Sequence, residues 1–169
     1  MGYKEGEPMS DHHHHDHAAH GHGESLNRTA VMATVHCLSG CAIGEVAGMV
    51  IGTGLNLSNA TTVVLSVVLA FITGYGLTMR PLLKSGMALR AAAGLALASD
   101  TLSVATMEVV DNALMLVIPG AMAAQLTDAL FWFSLAGSLV IAGVAAFPVN
   151  RWLIARGKGH ALVHEHHHH

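Results

Sequence analysis

The chain has 169 residues, of which 52% are apolar and only 11% charged, and its mean hydropathy is +0.49. A soluble domain carries about a quarter charged residues, so the composition points to a membrane protein. The formal net charge of −3 lacks the basic footprint of a nucleic-acid binder, and two cysteines inside one apolar segment are not the framework of a disulfide-stapled secreted domain.

Residues 1–28 are polar, rich in His, Gly and acid, and have no hydrophobic period. A segment of this kind cannot bury a core and is expected to be disordered. It holds His12, His13, His14, His15, His17, His20 and His22 in the run DHHHHDHAAHGHG. No cleavable signal peptide is expected, because the first apolar run is too long and follows this polar segment.

Four long apolar stretches follow, with helices expected at about 29–54, 60–80, 86–118 and 125–148. Each reaches the roughly 20 residues a membrane-spanning helix needs. The expected fold is therefore all-α, a four-transmembrane-helix bundle over residues 29–153, with disordered His-rich tails at 1–28 and 154–169. Asn56, Ser58 and Asn59 separate the first two helices, with Asn59 as the expected N-cap. Arg80-Pro81 is expected to end the second helix, Pro119-Gly120 the third and Pro148 the fourth, where Arg151-Trp152 resembles an interfacial anchor.

Positive charge orients the bundle. Arg28 precedes the first helix, Arg80, Lys84 and Arg90 flank the middle turn, and Arg151, Arg156 and Lys158 follow the fourth helix, whereas the other two turns hold no Lys or Arg. The positive-inside rule then places both termini and the middle turn in the cytoplasm, so the two His-rich tails share one side. The second tail carries His160, His164, His166, His167, His168 and His169. A purification tag is the plain alternative for its last four residues, although His160, His164 and Glu165 interrupt the pattern. Imidazole binds Cu, Zn and Ni, so the tails read as auxiliary metal collectors or as pH-responsive solubilising segments.

Polar groups inside the apolar stretches carry the functional reading. At 100° per residue Cys37, Cys41 and Glu45 form one stripe on the first helix, with His36 beside its basic end. Gly40, Gly44, Gly48 and Gly52 form an adjacent ridge that suits close helix packing. On the third helix Asp100, Val104, Met107, Glu108 and Asp111 share one side. Counting inward from Thr29 and Gly86 sets Glu45 and Asp100 at nearly equal depth, with Met107, Glu108 and Asp111 further out. An ionised side chain at mid-membrane costs about 3 kcal/mol on insertion scales, so such groups usually mark a pathway or site. His36, Cys37, Cys41, Glu45, Asp100, Met107, Glu108 and Asp111 are the candidate metal ligands. The plainer alternatives are that each cysteine merely packs, that Glu108 and Asp111 sit at the outer interface, and that the methionines are core.

The run HCLSGCAIGEVAGMVIG, followed by an Asp-containing third helix, resembles a family of small bacterial integral membrane proteins described only as a domain of unknown function. The resemblance spans about Thr29 to Lys158 and rests on His36, Cys37, Gly40, Cys41, Gly44 and Glu45 as an H-C-x-x-G-C-x-x-G-E signature. It implies a multi-pass protein of the bacterial inner membrane and supplies no activity.

The residues themselves lead to the expectation of a membrane protein that binds or transports a transition metal ion (Cu, Zn or Ni), coupled to protons. Its expected partners are the lipid bilayer, the metal and a homo-oligomeric or other membrane partner. The alternative is a non-transport sensor, assembly factor or small subunit of a membrane complex. No phosphate loop, nucleophile elbow or hydrolytic metal motif is present, so an enzyme is not expected. A thiol redox role is disfavoured by the CxxxC spacing.

Overall fold

The computed structural model describes the backbone of residues 17–156 and the side chains of residues 25–156. Helices α1 (His17–Gly54), α2 (Asn59–Lys84), α3 (Leu89–Val117) and α4 (Ala129–Ala155) follow one another, with a single 3-10 turn at Ala121–Ala123 before α4. All four are long and apolar enough to cross a membrane. Only 28–39% of each span is buried within the bundle, and the outer faces present residues such as Val35, Ile43, Val64, Ile72, Val109 and Val144. That inversion, apolar outside and polar inside, is the pattern expected of helices solvated by lipid. The chain is an all-helical, multi-pass membrane protein.

Successive helices pack as antiparallel neighbours, α4 closes back onto α1, and α1 also meets α3 across the interior. The tightest seam is α1 against α2. The buried stripe Thr62, Ser66, Ala70, Gly74, Thr78 and Leu82 recurs every four residues along α2, and its small members face the glycine ridge of α1. Gly52 lies on Thr62, Gly48 on Ser66, Gly44 on Ala70 and Gly40 on Gly74. A methyl group on Gly40 would sit 2.7 Å from the Gly74 Cα, and one on Gly44 would strike the Ala70 backbone. At this distance side chain meets main chain across the seam, and the Thr73 hydroxyl donates to the Gly40 carbonyl at 2.6 Å. Close approach of this kind gives packing contacts that lipid tails cannot replace.

Helix ends depart from the sequence expectations in instructive ways. Residues 17–28, expected to be disordered, extend α1 at its start, and residues 1–16 and 157–169 lie outside the described residues. Ser58, not Asn59, caps α2, its hydroxyl accepting from the Thr61 amide at 3.3 Å. Asn59 instead donates to the Met122 carbonyl at 3.2 Å and ties two turns together. Both α2 and α4 run on through their prolines, Pro81 and Pro148, to Lys84 and Ala155. Proline removes one amide donor but leaves the helix free to continue where neighbouring helices hold it. Between α2 and α3 the chain turns at Gly86, whose φ of +85° is costly for any residue with a Cβ. That turn consumes residues 86–88, so α3 starts at Leu89 and not at 86.

The two ends of the bundle differ in charge. Arg28, Arg80, Lys84, Arg90, Arg151 and Arg156 all lie exposed at one end, which also holds the Arg151–Asn27 hydrogen bond of 2.7 Å and Arg156 stacked 4.3 Å above Trp152. The opposite end, made by the α1–α2 turn and the α3–α4 connection, has no Lys or Arg among the described residues.

Candidate functional site

The interior polar groups come from the stripes on α1 and α3. Because the two helices run parallel, each four-residue step along α1 finds a matching step on α3, and the groups meet in layers. His36 and Cys37 lie level with Asp100, Cys41 with Met107 and Glu108, and Glu45 with Glu108 and Asp111. The result is one file of polar side chains running most of the length of the bundle.

At the basic end of the file the imidazole of half-buried His36 is 3.2 Å from the Thr78 hydroxyl. Thr78, supplied by α2, also lies beside the Asp100 carboxyl, which accepts a 2.6 Å hydrogen bond from Ser99. Cys37 and Ser103 follow Asp100. In the middle layer the Cys41 thiol is 4.0 Å from the Met107 thioether, and both residues are fully buried. Neither cysteine is in a disulfide.

The third layer concentrates the charge. Glu45 faces Asp111 and Glu108, and all three are more than nine-tenths buried. Ser138 of α4 donates a short hydrogen bond to Asp111, and Asn112 reaches Glu108 at 3.5 Å. Neither oxygen of the Glu45 carboxyl meets an N–H or hydroxyl donor among the described residues, and the bond within its reach is to the Asp111 carboxyl, which forms only when one of the pair is protonated. No Lys or Arg is buried among the described residues, so no side-chain cation offsets this layer. A buried polar group without a partner is costly, so each such carboxyl has to be met by a proton, a water or a ligand.

Beyond the third layer a cavity of about 500 Å³ opens toward the end that lacks basic residues. Glu45, Asp111 and Ser66 are buried at its inner part, while exposed Asn56, Asn59 and Gln125 form its rim. Half-buried Met49, Met115 and Met122 also line it.

Several sequence expectations change against this geometry. Glu45 and Asp100 do not share a layer. Asp100 lies level with His36 and Cys37, and Cys37 precedes Glu45 by eight residues on α1. Because α3 starts at Leu89 and not at 86, Asp100 sits nearer the basic end than the count from Gly86 placed it. Glu108 and Asp111, for which an interfacial position was the alternative, are 4% and 3% exposed. Among the described residues no group of three or more His, Cys, Asp or Glu is arranged to hold a metal ion. The candidate ligands therefore come together in successive small groups and not as one coordination shell. The tail histidines proposed as auxiliary ligands, His12–His15, His17, His20, His22, His160, His164 and His166–His169, have side chains outside the described residues.

Sequence reasoning missed the cavity methionines. Met49 continues the Cys37–Cys41–Glu45 stripe by one more four-residue step, and Met115 lies one step beyond Asp111. That signal was present in the spacing. Met122 belongs to the 3-10 turn, and no periodicity points to it.

No match was found among curated proteins or among solved structures. A family model does match, over residues 26–159, which takes in all four spanning helices and the whole polar file. The chain belongs to the family described as domain of unknown function DUF4396.

Proposed function

We propose that this protein carries a transition metal cation (Cu, Zn or Ni) across the membrane along the α1–α3 file, with protons moving in exchange. The observation that carries the reading is the Glu45 carboxyl, more than nine-tenths buried, facing two further carboxyls, with no N–H or hydroxyl donor upon it among the described residues and only Asp111 to share a proton with. Full ionisation of Glu45, Glu108 and Asp111 would gather negative charge away from water, and that charge has to be met by a bound cation or by protons. A layer that accepts either one exchanges them, which is the elementary step of proton-coupled cation movement.

The donors suit passage better than residence. A resident structural metal is held by about four ligands converging on one point. Here the imidazole, thiol, thioether and carboxyl donors are spread along the file, as conduction requires sites that bind well enough to enter and weakly enough to leave. His36, Thr78 and Asp100 give the basic end a hydrogen-bonding route for protons. By the positive-inside rule that end is cytoplasmic, and the cavity faces outward.

The test is a flux assay on full-length protein in proteoliposomes, with a metal-sensitive and a pH-sensitive dye trapped inside. A metal gradient should drive metal entry together with proton exit. Absence of metal flux for Cu(I), Zn(II) and Ni(II) alike would overturn the proposal, and a stable hetero-complex isolated alongside that result would place the protein among non-transport subunits.

A further inference from the structure

The cavity at the outer-facing end differs chemically from the file beneath it. Its inner part holds Glu45 and Asp111, but its lining includes no His and no Cys. The soft donors there are the thioethers of Met49, Met115 and Met122, and all three methionines are half-buried. Thioether sulfur is a poor ligand for Zn(II) or Ni(II) and a good one for Cu(I). Methionine is also flexible enough to gather round an ion without a preformed shell.

The sulfur donors continue inward. Past Glu45 and Asp111 the next layer is the Cys41–Met107 pair, 4.0 Å apart. An ion entering from the cavity thus meets thioethers first, then the Glu45 and Asp111 carboxyls, then thiol and thioether together. Asn59 holds the Met122 carbonyl at 3.2 Å and so fixes the 3-10 turn over the mouth.

We infer that this cavity is a loading site for a soft monovalent cation, Cu(I), taken up by Met49, Met115 and Met122 and passed inward, drawn by the charge of Glu45 and Asp111, to the Cys41–Met107 sulfur pair. The inference rests on the proposed cation path and names its substrate. No change of oxidation state is involved, and the ion keeps its charge throughout.

The experiment measures Cu(I) affinity of the full-length protein in detergent, under anaerobic reducing conditions, against a chromophoric Cu(I) chelator. Wild type is compared with the triple variant M49L/M115L/M122L and with Met32→Leu, an exposed control outside the cavity. Leucine conserves volume, so folding should persist. If the triple variant fails to fold, the three single substitutions are read in the same way. Cu(I) affinity should fall at least about tenfold in the triple variant, since loss of even an outer-shell contact typically costs 10–100-fold. Zn(II) affinity and the control should not change. Undiminished Cu(I) binding in the folded variants, or an equal fall for Zn(II), would overturn the inference, as would binding of Ca(II) in place of Cu(I). Zn(II) flux in proteoliposomes with no methionine-dependent Cu(I) binding would sink this inference and leave the transport proposal standing. Methionine-dependent Cu(I) binding without flux of any metal would do the reverse.

Discussion

Glu45 of α1 faces Asp111 of α3 across the interior of the bundle, while Asp100 lies two helical steps away beside His36 and Cys37. Cys37 and Glu45 are eight residues apart on α1, about 12 Å at the α-helical rise. The interior is thus divided into a hydrogen-bonded end at His36–Thr78–Asp100, a sulfur layer at Cys41–Met107, and a carboxyl layer open to a cavity.

Glu45→Gln should raise stability while abolishing transport. The carboxyl meets no N–H or hydroxyl donor and bonds Asp111 only when one of the pair is protonated, whereas an amide in its place donates to a neighbouring acid without taking up a proton. A hydrogen bond to a charged group is worth about 1.5–3 kcal/mol. Thermal unfolding in detergent should shift upward for the variant. A lower midpoint would mean that Glu45 has a structural partner in the empty protein.

The α1–α2 seam predicts a sharp contrast between glycines. Gly44→Ala puts a methyl group into the Ala70 backbone, whereas at Gly76 a Cβ meets nothing within 4 Å. Overpacking of this kind costs about 1–3 kcal/mol or more. Unfolding by graded denaturing detergent should show Gly44→Ala clearly destabilised and Gly76→Ala no less stable than wild type.

Thiol labelling tests the burial of the sulfur layer. Cys37 and Cys41 are 4% and 0% exposed, so a bulky maleimide should label neither in the folded protein and both after denaturation. Rapid labelling of folded protein would show that the file is open to water at that depth.

A chelator should leave the fold intact. Proteins built on a resident structural metal unfold when it is removed. The bundle here is held by helix packing, the glycine seam above all, and its interior donors do not converge into one shell. Thermal unfolding with and without EDTA should coincide, while metal affinity stays measurable.

The fold was largely legible from spacing. Four apolar stretches, a four-residue glycine ridge on α1 and the acidic side of α3 all follow from periodicity, and the structure has these features in place. Register between helices was not legible, because it depends on where each helix starts. The turn at Gly86 delays the start of α3, and Asp100 and Glu45 end up about two helical turns apart. Pro81 and Pro148 misled in the same way, since a proline stops a helix only where nothing else holds the chain. The small stripe of α2 was overlooked because Thr, Ser, Ala and Gly make no hydrophobic contrast, yet that lack of bulk is what seats the ridge of α1. Met49 and Met115 lay on stripes already drawn and needed only one further step along each.

The central claim is that the Glu45 layer exchanges a metal cation for protons. It is tested most directly by recording metal entry and internal pH together in proteoliposomes bearing wild-type protein or Glu45→Gln. The account predicts coupled metal and proton movement in wild type and loss of both in the variant. Metal flux that persists unchanged in Glu45→Gln would contradict it.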